Sequence, residues 1–79
     1  MTDMGILLIL DRVFYIMRDY HKKHYTKQYV INTVIDKLKS QYDITQYDKN
    51  TIQIENELFE IFSHKNYSCF DIHHIGQVK

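Results

Sequence analysis

The sequence predicts a mainly α protein, a compact three-helix domain with room at its C-terminus for a short strand or β-hairpin. Three observations carry this expectation. Two segments repeat apolar residues at helical spacing, a third fits the same period, and turn formers are scarce, with two glycines and no proline. A chain so poor in Gly and Pro suits long helices better than a turn-rich sheet. Seventy-nine residues make a single small domain, 1–79.

The first helix is expected from about Met4 to His24. At 100° per residue, Ile6, Ile9, Leu10, Val13, Phe14, Ile16, Met17 and Tyr20 share one arc, and Asp11, Arg12, Arg18, Asp19, Lys22 and Lys23 fall opposite. Thr2 or Asp3 is placed to cap its start. Leu8 and Tyr15 break this pattern, seven residues apart on the polar side. Single exposed apolar residues are ordinary; two in register are the candidate partner-binding residues.

The second helix, "YTKQYVINTVIDKLKSQY", begins at a Thr26 cap and carries a clean stripe of Val30, Ile31, Val34, Ile35, Leu38 and Tyr42. A polar connection, "DITQYDKN", follows. "NTIQIENELFEIFSHK" then fits a third helix, capped by Asn50 or Thr51, with Ile52, Leu58, Phe59, Ile61 and Phe62 inward. The same region also alternates with period two, so "DITQYDKNTIQI" admits a hairpin turning at Asp48–Asn50. Length favours the helix. The tail "YSCFDIHHIGQVK" sets Phe70, Ile72 and His74 on one side and Cys69, Asp71 and His73 on the other, as a short strand or docked segment would.

Composition narrows the function. Apolar residues make up 44% and charged residues 25%, which places the chain among globular domains. One cysteine allows no internal disulfide and fits a reducing, cytoplasmic setting. "MGILLIL" lacks a basic leader and a small-residue cleavage site and is too short to span a bilayer, so no membrane role is expected. Net charge is zero, yet residues 1–40 hold seven basic and four acidic side chains, and residues 41–79 three and six. Binding driven by phosphate contacts ordinarily shows a clear basic excess. Seven tyrosines suit half-buried and interfacial positions.

The chemistry-bearing residues fall into three groups. His64, Cys69, His73 and His74 are potential zinc ligands, but the usual paired-cysteine spacing is absent. In a strand, Cys69 and His73 lie two pleats apart, so a boundary-histidine reading is preferred to a metal site. Cys69 with His73 or His74 as base would need a cleft that so short a chain hardly provides, and no enzyme, cofactor or small-molecule substrate is expected. "RDYHKKHYTK" groups Arg18, Lys22, Lys23 and Lys27 with Tyr20 and Tyr25. It reads as a solvated helix end before it reads as a phosphate-contacting surface.

Three helices followed by a strand-like tail resemble the winged helix-turn-helix order, a DNA-binding plan. That resemblance rests on element order alone. It implies a third helix offering Gln53 and Asn56 to base edges beside Arg18, Lys22, Lys23 and Lys27. Glu57 and Glu60 on the same face would repel phosphates. The preferred expectation is therefore a small protein-interaction or regulatory module, a homodimer contacting its partner through Leu8 and Tyr15. DNA binding is the alternative.

Overall fold

The structure, a computed structural model, describes residues 2–78. Two helices, α1 (Asp3–Met17) and α2 (Lys27–Leu38), precede four strands: β1 (Ile44–Asp48), β2 (Thr51–Ile54), β3 (Glu57–Ser63) and β4 (Phe70–Gln77). The strands form one antiparallel sheet in the order β1-β2-β3-β4. The chain is thus an α+β protein, and the expectations of a three-helix domain, a helical bundle and a winged-helix order are all corrected.

Both helices begin where a threonine stands ready. The Thr2 hydroxyl accepts the Gly5 N–H at 3.1 Å, and the Thr26 hydroxyl accepts the Tyr29 N–H at 3.1 Å. Each satisfies an N–H that a helix start otherwise leaves without a partner. Helix α1 stops at Met17, short of the expected His24. Beyond it the backbone turns to another partner: the Lys22 N–H donates to the Ser68 carbonyl, and His21 bridges to Cys69. Those tertiary bonds replace the i to i−4 bonds that would have continued the helix.

The expected third helix is instead the β2–β3 hairpin. Ile54 faces Glu57 across Glu55 and Asn56, and Glu55 adopts a φ of 55°. A left-handed residue ends any helix running through it. Alternation with period two then decides the faces. Ile52, Ile54, Glu57, Phe59 and Ile61 point toward the helices and are buried, whereas Gln53, Leu58, Glu60 and Phe62 lie on the other side of the sheet, half-buried. The helical pattern had placed Leu58 and Phe62 inward; the pleat places them outward. β-Branched residues at 51, 52, 54 and 61 suit this conformation. The β1–β2 hairpin uses the alternation seen in "DITQYDKNTIQI", turning between Asp48 and Thr51.

Both helices cover one face of the sheet, α1 against β4 and α2 against β1 and β3. Ile9, Val13 and Met17 of α1 meet Val30, Ile31 and Val34 of α2 over the inner row of β2, β3 and β4. The expected apolar arcs of both helices therefore do form the core. Among the described residues, no helix covers the opposite sheet face.

Strand β4 contains a bulge. Phe59 pairs with His74 and Leu58 with Gly76, so Ile75 is the extra residue. This one-residue insertion flips the alternation, and Gln77 comes to face inward with His74 although the two are three apart. Gly76 has a φ of 148° and no atom within 4 Å of where a Cβ would stand. Room for a side chain exists, but the backbone disfavours an L-residue. Gly76→Ala should therefore cost about 1–3 kcal/mol in urea denaturation. A synthetic chain with D-alanine at 76 should keep wild-type stability, separating backbone strain from crowding.

Candidate interaction surface and the polar clusters

Opposite its buried arc, α1 presents an exposed ridge. Met4, Leu8, Asp11 and Tyr15 follow one another at spacings of four, three and four, with Leu7 beside them. Met4 is 77% exposed, Leu7 61%, Leu8 47% and Tyr15 63%. One helix face, about three turns long, thus carries four large apolar side chains in water. Contiguous apolar exposure of this kind is rarer than scattered single residues. Leu8 and Tyr15 sit on that ridge; Met4 and Leu7 were not singled out in the sequence, although helical spacing sets them on the same side.

Flanking the ridge is a shallow groove between the helices, lined by Arg12, Ile16, Lys37, Leu38 and Gln41. An Arg12 guanidinium N–H donates to Gln41 Oε1 at 2.7 Å and ties α1 to the end of α2. Arg18 lies over the Tyr15 ring, 4.1 Å from its centroid, and holds that ring against the helix.

The basic cluster is largely engaged within the fold. Besides Arg18, Lys22 Nζ donates to the His64 carbonyl and Lys27 Nζ to Asn50 Oδ1. Lys23 is exposed. Tyr20, Tyr25 and Tyr29 pack on one another, Tyr20 and Tyr25 edge to face at 5.1 Å. Gln53 and Asn56 do not join them. The lysine end of the molecule is the β1–β2 turn, where Lys27 meets Asn50; Asn56 lies beyond the other end of β2. Gln53 turns its amide to the Glu55 carbonyl.

The proposed zinc ligands are divided by the sheet. His73 faces outward and meets Glu60 at 2.9 Å; His74 faces inward and meets Glu57 at 2.7 Å. Cys69 is buried, and His64 Nδ1 accepts the Asn66 N–H. Among the described residues, no group of three or more His, Cys, Asp or Glu is arranged to hold a metal ion.

One cluster had no sequence signal. Glu57 is 1% exposed in the inner row of β3, where the helical reading had placed it in solvent. His74 Nε2 approaches its Oε1 at 2.7 Å, and Gln77 Nε2 donates to its Oε2 at 2.8 Å. The His74 ring also packs on Phe59. Burial pushes the Glu57 carboxyl up, but the bonds from Gln77 and His74 outweigh it and hold the group below its ordinary value of 4.5. Only the bulge at Ile75 brings Gln77 to this carboxylate, so pattern reading could not have found the site.

No protein family, curated protein or solved structure matches the chain. Among the described residues, no helix is long and apolar enough to cross a membrane.

The depressed Glu57 pKa has a definite sign. A carboxyl held below its unfolded value contributes stability that is present above about pH 4.5 and lost as pH falls through the folded pKa. Asp48, lowered chiefly by the Asn50 N–H, acts in the same direction. Glu57→Gln should lower stability at pH 7 and flatten its decline as pH falls below about 4.5. Urea titrations across that range check both; an unchanged acid slope would remove Glu57 from the linkage.

Proposed function

We propose that this chain is a small protein-interaction module that acts by binding through the outer face of α1. The observation that carries the reading is the ridge of Met4, Leu7, Leu8 and Tyr15, exposed together on one helix. Their burial would be favourable at roughly 25 cal/mol per Å², while a chain folding alone gains nothing from keeping them in water. The rest of the molecule supports the assignment by contrast. The uncovered sheet face mixes an aromatic ring with charged residues, Phe62 standing beside Glu60, Asp71 and His73. A duplex-DNA role has lost the recognition helix it required, since residues 51–63 lie in a hairpin.

Two measurements test the proposal. A photo-reactive benzoylphenylalanine at Tyr15 should give protein adducts in cells, whereas the same group at Tyr47, 55% exposed on β1, should give few. Equal adduct yields at both positions would sink the reading. Leu8→Glu with Tyr15→Glu should weaken association about tenfold or more and leave the folded state within about 1 kcal/mol of wild type, as surface substitutions do.

A further inference from the structure

We propose that the occupant of the α1 face is a second copy of this chain, docked antiparallel about a two-fold axis passing beside Asp11. The inference rests on the reading of α1 as an interaction surface. Two features of the ridge favour self-pairing.

The first is spacing. Met4, Leu8, Asp11 and Tyr15 recur at four, three and four residues, the interval at which one helix presents a seam to another. A two-fold axis makes every contact occur twice. With the axis beside Asp11, Leu8 of each copy meets Tyr15 of the other, and Met4 meets Arg18, whose guanidinium already lies over Tyr15.

The second is charge. Helix α1 with its C-cap carries Asp3, Asp11, Arg12 and Arg18, two of each sign, so the two helices approach without net repulsion. A parallel pairing would set Asp3 on Asp3 and Arg18 on Arg18. The antiparallel pairing instead sets Asp3 opposite Arg18 at both ends, and like charges opposed across an interface are costly. At the centre the axis brings the two Asp11 carboxylates together, and Arg12 of each copy, next in the helix, is the cation that offsets their repulsion. That guanidinium spends one N–H on Gln41 and has further donors to give. The contact is small: one helix face falls short of the roughly 800 Å² per partner of a standard interface. The dimer should accordingly be weak, with Kd on the order of 10–100 μM.

The test uses the full chain. Sedimentation velocity from about 5 to about 500 μM should show a monomer–dimer transition, displaced at least tenfold by Leu8→Glu. Orientation is read with a short bis-maleimide, Cys69 being buried and the wild-type chain serving as blank. Met4→Cys mixed with Arg18→Cys should cross-link, and Met4→Cys alone should not. A monomer at every concentration, or self-linking of Met4→Cys, would overturn the proposal. The photo-adducts at Tyr15 separate this failure from a broader one. Adducts with a different protein refute the second copy and retain the interaction module; no adduct above the Tyr47 control refutes both.

Discussion

Pairing of β3 along both of its edges is the constraint from which the rest of the fold follows. With β2 on one side and β4 on the other, its inner residues have no route to water once the helices are laid over them. Phe59 and Ile61 are wholly buried there, stacked between Ile52 and Ile72 and beneath Val13, Met17 and Val34. Backbone hydrogen bonds align the row, and apolar burial against the two helices stabilises it. Remove that cover and the sheet has two wet faces.

Glu57 occupies the same row, and its presence accounts for the irregularity of β4. A carboxylate kept from water needs charge-assisted hydrogen bonds. His74 supplies one from the regular pleat, opposite Phe59. Gln77 supplies the second, and only the extra residue at Ile75 turns it inward. Gly76, with its positive φ, is the residue that lets the strand recover its course. An acidic core residue, a bulge and a glycine are therefore one device, distributed over two strands.

The same economy explains the outer face of α1. Two helices suffice to cover one face of a four-stranded sheet, and α1 spends Ile9, Val13 and Met17 on that task. Its sequence is more apolar than the task requires. Met4, Leu7, Leu8 and Tyr15 take no part in the core and gather on the opposite ridge, while the neighbouring cations are tied down by Tyr15, Gln41, His64 and Asn50. The molecule thus couples a closed interior to a helix face suited to an external contact. Tyrosine, abundant in the chain, serves both sides: Tyr20, Tyr25 and Tyr29 pack among themselves at the helix connection, and Tyr15 stands on the ridge.

Residue pattern by itself determined the local features of this protein. Caps at Thr2 and Thr26 and the apolar stripes of both helices depend on neighbours within a few residues, and they lie where the spacing places them. The alternation of Phe70, Ile72 and His74 is equally local and became the inner face of β4. Tertiary structure decided the rest. "NTIQIENELFEIFSHK" carries both periods, and a segment with two compatible patterns is settled by the partners available on each side; here β1 and β4 offered edges that a helix could not have used. Pairing of residues 21–22 with 68–69 likewise ended α1 at Met17. The environment of Glu57 was beyond any local rule, because the bond it receives from Gln77, twenty residues away, depends on the bulge at Ile75. Periodicity records which side of an element a residue takes, but which element forms, and what faces it, is set by hydrogen bonds and burial between segments distant in the chain.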